Sequence, residues 1–144
     1  MLKNTGQDLF NACYFGNTTL ALQLIRKNVY TEFVDTRDGW STIHYASRWG
    51  LMKVLNELIK YGVDINIKTT DKETPLHIAC RASRKNICII LLKNGANPNI
   101  INTDGLTAAQ LTSCDDIKYI CNNFDEFMKT LEYQTFISKL KSKK

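Results

Sequence analysis

Two histidines and five cysteines are the side chains of this sequence best suited to acid–base, nucleophilic or metal-binding chemistry. His44 and His77 lie 33 residues apart, and Cys80 follows His77 at i,i+3. A structural zinc site usually needs a second ligand pair at comparable spacing, and the sequence has neither that pair nor a C-x-x-C motif. We therefore predict no metal site and no cofactor.

The cysteines point instead to a reducing environment. Their number is odd, their spacing is irregular, and the polar stretch from Met1 to Gly6 lacks the apolar core of a signal peptide. We expect reduced thiols that act as small buried hydrophobes in a cytoplasmic, possibly nuclear, protein. The five positions are Cys13, Cys80, Cys88, Cys114 and Cys121.

No catalytic motif accompanies these side chains. The sequence contains no Gly-rich phosphate loop, no G-x-S-x-G and no H-E-x-x-H. The longest apolar run, Ile87 to Leu92, is too short to span a membrane. We predict neither an enzyme nor a small-molecule substrate nor a membrane partner.

A 33-residue repeat explains the position of both histidines. The segment from Asp38 to Ala46 returns as Asp71 to Ala79 and, in degraded form, as Asp104 to Thr112. A fainter copy lies one step of 34 residues upstream. Because the two histidines occupy the same repeat position, we expect each to bond the backbone of a neighbouring turn.

Each unit of the repeat predicts a pair of short helices. Thr74 is a suitable N-cap and Pro75 a suitable first helical residue. The second helix carries one apolar stripe, and Gly62 or Gly95 ends it. Helices this short are not stable alone, so neighbouring units must stack into a solenoid. The stripe of the second unit is Leu51, Val54, Leu55, Leu58 and Ile59.

The segment from Thr74 to Ala79, together with the period, resembles the ankyrin repeat. The resemblance covers about residues 5 to 124 and implies an all-α solenoid of about four helix-turn-helix units. We assign units to about residues 1–37, 38–70, 71–103 and 104–124, and a helical extension with a basic tail to 125–144. Gln110 replaces the histidine of the fourth unit, whose inter-helix loop is shortened. We therefore expect an atypical terminal unit that caps the stack.

The resemblance also implies that partners bind across a concave face formed by the first helices and the turn tips. Trp, Tyr and Arg, which dominate the energetics of interfaces, are concentrated at these positions. For Phe15 and Trp49, packing between adjacent units is an equally open explanation, whereas for Trp40 the interface is favoured. The predicted first-helix positions are Tyr14, Phe15, Arg48, Trp49, Arg81 and the nearby Arg84; the predicted tip positions are Arg37, Asp38, Trp40, Asp71, Glu73, Asp104 and Leu106.

The charge pattern predicts the chemistry of the partner. Arg48 and Arg81 are one period apart, so we expect them to lie side by side and to favour a protein with an acidic and apolar segment. An ordinary solvated face remains the alternative. The net charge of +5 comes mostly from five lysines after residue 128, so a nucleic-acid partner is not favoured.

The C-terminal segment has two apolar stripes that are offset by two residues. They predict either a kinked helix that covers the open end of the stack or a docking helix for a second partner. The terminal lysines suit a nuclear address, an anionic surface or a solubilising tail. The first stripe is Phe124, Phe127, Met128 and Leu131; the second is Tyr133, Phe136, Ile137 and Leu140.

These observations favour a non-catalytic protein–protein interaction module that is a monomer by itself. One alternative is an inhibitor that masks a functional surface of a signalling or transcription protein. Another is a nucleic-acid-associated factor acting through the tail. The abundance of Asn, Ile and Lys, with 14 Lys against 5 Arg, suggests an AT-rich genome and hence a parasite, virus or bacterium.

Overall fold

The computed structural model describes residues 5–29 and 31–143, and these residues form short antiparallel helix pairs that stack into a solenoid. None of the described helices is long and apolar enough to cross a bilayer. The helices are α1 (Gly6–Tyr14), α2 (Thr18–Arg26), α3 (Thr42–Trp49), α4 (Met52–Lys60), α5 (Pro75–Arg81), α6 (Lys85–Lys93), α7 (Asp115–Asn122) and α8 (Phe124–Ser142), with a 3-10 turn at Ala108–Leu111.

The first helix of each unit begins with the same reciprocal cap. In the third unit the Thr74 N–H donates to His77 Nδ1 at 3.1 Å, and the Ser41 N–H donates to His44 Nδ1 at the same distance. Asp8 and Gln110 accept the corresponding N–H in the first and fourth units. Three residue types thus satisfy one backbone donor that the helix itself leaves unpaired.

The second ring nitrogen of each histidine joins successive units. Because Nδ1 accepts a backbone N–H, the proton lies on Nε2. His44 Nε2 donates to the Ile67 and Glu73 carbonyls, at 3.1 and 3.2 Å, and His77 Nε2 donates to the Leu106 carbonyl at 3.1 Å. Burial lowers the pKa of His44 to about 4, and it lowers the pKa of His77 as well. The predicted structural role of both histidines is confirmed.

The core lies between two layers of helices. Helices α1, α3 and α5 and the 3-10 turn stack in one layer, and α2, α4, α6 and α7 form the other. Leu9, Ile43 and Leu76 are fully buried at corresponding places in the first layer. In α4 the predicted stripe is confirmed, since Val54, Leu55 and Leu58 are buried and Leu51 and Ile59 pack against them.

Helix ends follow the predicted left-handed pattern. Gly62 and Gly95 have φ of 79° and 95°, although a Cβ at either would meet no atom within 4 Å. The requirement for glycine is therefore conformational rather than steric. Asn28 takes the same role in the first unit with φ of 55°.

The fourth unit departs from the predicted helix pair. Its first helix is reduced to the 3-10 turn, because α7 begins at Asp115 and leaves too few residues after Thr107 for an α-helix and a loop. Ala108, Ala109, Ile117 and Ile120 nevertheless bury their side chains against the stack.

The C-terminal extension is one uninterrupted helix that carries both apolar stripes. Nine residues separate Phe124 from Tyr133, and nine residues rotate an α-helix by about 180° beyond whole turns. Phe124 and Phe127 pack against the core, whereas Tyr133, Phe136 and Leu140 on the other side are exposed.

Four of the five cysteines are buried, as predicted, and Cys114 is half-buried. Cys80, Cys88 and Cys121 form a cluster where α5, α6 and α7 meet. The Cys80 Sγ lies 3.7 Å from that of Cys88 and 3.5 Å from that of Cys121. Within residues 5–29 and 31–143 all five are free thiols.

Candidate protein-binding face

Hydrogen bonds between successive turns set the spacing of the tips. The Thr70 N–H donates to the Asp38 carbonyl at 3.0 Å, and the Thr103 N–H donates to the Asp71 carbonyl at 2.9 Å. Gly39 lies at the first of these contacts with φ of 72°, and a Cβ there would be 2.8 Å from the Thr70 nitrogen. Asp71 and Asp104 are exposed beyond these contacts, and Asp38 is partly buried because it accepts the Trp40 N–H.

An aromatic patch lies where the first and second units meet. Tyr14 and Phe15 are in edge-to-face contact at 4.9 Å, and the Trp49 Nε1–H donates to the Tyr14 carbonyl at 3.0 Å. The side chains remain accessible, with exposed fractions of 47% for Tyr14, 78% for Phe15 and 43% for Trp49. Trp49 thus joins two units and still presents a face to solvent, whereas Phe15 is not packed between them.

Arg48 lies between the two indoles of the chain. Its guanidinium carbon is 5.9 Å from the centre of the Trp40 ring and 5.2 Å from that of Trp49, within cation–π range. Trp40 is half-buried and rests on Tyr45, with ring centres 4.7 Å apart. The buried core, through Tyr45, therefore supports the Trp40 ring.

A pocket of about 310 Å³ opens beside Arg48, between the second and third units. Trp40, Ile78 and Ala82 supply its apolar lining, and Arg48 and Arg81 supply its positive edge. The concave face, defined here as the aromatic patch Tyr14, Phe15 and Trp49 together with this pocket, runs across the first three units.

Glu73 does not occupy the exposed place predicted for it, and Arg81, which lines the pocket, pairs with it. Glu73 is only 7% exposed, and both its carboxylate oxygens accept from the Arg81 guanidinium. Asn102 Nδ2 donates to the same carboxylate at 3.3 Å. The hydrogen bonds from Arg81 hold the pKa of the Glu73 carboxyl below its usual range. The expectation of Glu73 as an exposed tip residue is wrong, because its charge is used inside the protein.

Several other residues that were predicted to bind a partner also make contacts within the protein. Arg84 Nε donates to the Arg48 carbonyl at 3.0 Å, and Arg37 pairs with Asp35 at 2.6 Å. That pairing lowers the pKa of Asp35 to about 2. Leu106 is half-buried, and its carbonyl is the acceptor of His77.

Ile78, Asn102 and Asp35 complete these arrangements and were not predicted from the sequence. One sequence signal could have revealed the pairing of Arg81. Glu73 precedes Arg81 by eight residues, just as Trp40 precedes Arg48, and both pairs are in contact. Because Trp40 and Glu73 are themselves one period apart, the repeat places each of them eight residues before the arginine of its unit.

A family model of ankyrin repeats in three copies matches residues 9–102. The chain belongs to the ankyrin-repeat family. A search of curated proteins found no match. Ankyrin repeats generally mediate protein–protein interactions and are typically non-catalytic. Among the described residues, no group of three or more His, Cys, Asp or Glu side chains has the arrangement of a metal site.

Proposed function

We propose that this ankyrin-repeat chain is a non-catalytic module that binds another protein across the concave face and the turn tips. The observation that supports the proposal is the exposed aromatic patch of Tyr14, Phe15 and Trp49 directly beside Arg48. Exposed aromatic side chains that are clustered on one face mark interaction sites more often than isolated ones do.

The composition of the face indicates how the binding energy would be distributed. Trp, Tyr and Arg are the residue types most often found at interface hot spots, and the patch supplies all three. The aromatic rings need an apolar partner surface, whereas Arg48 needs an acidic one. We therefore propose a partner with a segment that is both apolar and acidic, with the exposed Asp71 and Asp104 at the rim.

Affinity capture from the cells that produce the protein tests this proposal. The double variant Phe15→Ala with Trp49→Ala is compared with Lys53→Ala with Glu57→Ala, on the second helix of the second unit. We expect the first pair to reduce the recovered partner at least tenfold, and the second pair to leave it unchanged.

Folding is checked separately for both double variants by circular dichroism and by the melting temperature. Trp49→Ala removes the bond to the Tyr14 carbonyl, so Phe15→Ala alone serves as the variant that leaves every described hydrogen bond intact. Loss of the partner with the α4 pair and retention with the aromatic pair would place the binding surface on the opposite side of the solenoid and contradict the proposal.

A further inference from the structure

The arginine at one repeat position has a different neighbour in two successive units. In the third unit Arg81 reaches back eight residues to the carboxylate of Glu73. In the second unit Arg48 reaches back eight residues to the ring of Trp40. One arginine is therefore neutralised by the protein itself, and the other is not.

We infer that Arg48 is the specificity-determining residue of the concave face and binds a single carboxylate of the partner. The inference rests on the proposed function and assigns the acidic group of the partner to one arginine. Its expected ligand is an Asp or Glu side chain on a peptide segment.

The way in which Arg48 is held leaves its hydrogen-bond donors available. The guanidinium carbon lies over both indole rings, and a cation–π contact of this kind uses none of the five N–H donors. Within residues 5–29 and 31–143, no carboxylate lies within ion-pairing distance of Arg48, and its side chain donates no hydrogen bond to the protein. A guanidinium that lies over two aromatic rings and has its N–H donors unused can pair with a carboxylate through two hydrogen bonds.

The two neighbouring arginines are less suited to this role. The Arg81 guanidinium already meets both Glu73 oxygens, and a second carboxylate there would face the first. The Arg84 Nε–H is taken by the Arg48 carbonyl, and its side chain lies over Gly50, where a Cβ would be 3.3 Å from Arg84 Cδ. Arg84 thus supports the backbone that carries Arg48.

The pocket next to Arg48 defines the group beside the carboxylate. Ala82 stands where the second unit has Trp49, and this small side chain leaves the space of about 310 Å³ between Trp40 and Ile78. Trp40, Ile78 and Ala82 give the pocket an apolar part, and its volume suits one or two aliphatic side chains. The ligand is therefore an acidic residue with an aliphatic residue on the same side of the peptide.

The test uses a displayed library of random peptides selected on the immobilised full chain. We expect the selected peptides to share Asp or Glu with a neighbouring Leu, Ile or Val. Changing that acidic residue to its amide should weaken binding to the wild-type protein about tenfold. It should change binding to Arg48→Gln less than twofold, while Arg26→Gln, which removes the same charge from an exposed position on α2, should retain at least fivefold discrimination.

Two outcomes overturn the inference and separate it from the proposed function. In the first outcome, the peptides bind Phe15→Ala more weakly than the wild-type protein, but replacing the Glu of the peptide by Gln does not change affinity. The concave face is then supported and the assignment of Arg48 is contradicted. In the second outcome, neither Phe15→Ala nor the change of the peptide alters affinity, and both proposals are contradicted. Circular dichroism of Arg48→Gln and Arg26→Gln verifies that each variant is folded.

Discussion

The second and third units have nearly the same backbone and use one position of it in different ways. Residues 40 and 73 are equivalent, as are residues 48 and 81, and in each unit the later residue contacts the earlier one. Where the earlier residue is Trp, the arginine pairs with no carboxylate of the described residues. Where it is Glu, the arginine forms an ion pair within the protein. The residue at this one position thus distinguishes an arginine that is neutralised by the protein from one that is not.

The histidines show what the two units have in common. Both rings are buried, both accept a backbone N–H at the start of their helix, and both donate to the following turn. The histidine that joins neighbouring units and the arginine discussed above are therefore different residues of the same helix.

The largest expected effect comes from removing a framework histidine. His44→Ala and His77→Ala each leave buried backbone groups unpaired and a cavity behind. We expect each to lower the free energy of unfolding by about 4 kcal/mol, measured by urea denaturation. His77→Gln should lower it less, because Gln110 shows that glutamine can form the same cap. Equal losses for Ala and Gln would mean that the cap contributes little.

The next effect is a dependence of stability on pH. Burial lowers the pKa of His44 to about 4, against about 6.5 in the unfolded chain. Between these values the unfolded state binds more protons, so stability falls as the pH is lowered from 6.5 towards 4. At about 1.4 kcal/mol for each unit of pKa, His44 alone accounts for about 3 kcal/mol, to which His77 adds.

The double variant His44→Gln with His77→Gln supplies the control for this dependence. It has no imidazole to titrate, so its free energy of unfolding should change little between pH 6.5 and about 4.5, where carboxylates begin to contribute. Urea denaturation at closely spaced pH values measures both curves. A wild-type curve as flat as that of the variant would contradict the assignment.

The sequence was sufficient for the framework because the framework is local and periodic. The 33-residue step, Thr74 with Pro75, and the glycine positions predicted helix starts, helix ends and the roles of both histidines. The sequence was insufficient to predict the burial of Glu73, because the exposure of this carboxylate depends on the direction of the Arg81 side chain. The pocket was missed for a related reason, since it arises from the small side chain of Ala82 in one unit beside Trp40 of another. The two offset stripes of the C-terminal segment left two alternatives open, because two apolar faces can coexist on one continuous helix.

Exchanging the distinguishing residue tests the comparison directly. Trp40→Glu gives the second unit the residue of the third, and the new carboxylate should pair with Arg48 as Glu73 pairs with Arg81. We expect affinity for the selected acidic peptides to fall by about 2 kcal/mol, or about thirtyfold, measured by fluorescence anisotropy. Trp40→Phe keeps an aromatic surface under Arg48 and should lose less than fivefold. Unchanged affinity in folded Trp40→Glu would show that Arg48 is not the recognition residue.

The smallest effect is expected when the carboxylate of the third unit is removed by Glu73→Gln. The single amide oxygen, placed where Oε1 lies, can still accept from Asn102 and from one Arg81 nitrogen. The NH₂ group then faces the other Arg81 donor, so the ion pair and one of its two hydrogen bonds are lost. Because half of the Arg81 side chain is exposed, solvent screens much of the ion pair, and we expect a loss of only about 1 kcal/mol in the free energy of unfolding at pH 7. The lowered pKa of Glu73 means that the wild-type advantage is fully present above about pH 4.5 and disappears as the pH falls through the folded-state value. The two curves of unfolding free energy should therefore converge in acid, and a difference that persists at pH 2 would assign the effect to packing rather than to charge. The same variant releases Arg81 from its partner, so peptides with a second acidic residue should bind it about threefold more tightly than they bind the wild-type protein. Fluorescence anisotropy with one-acid and two-acid peptides measures this gain, and its absence would show that neutralisation by Glu73 is not what separates Arg81 from Arg48.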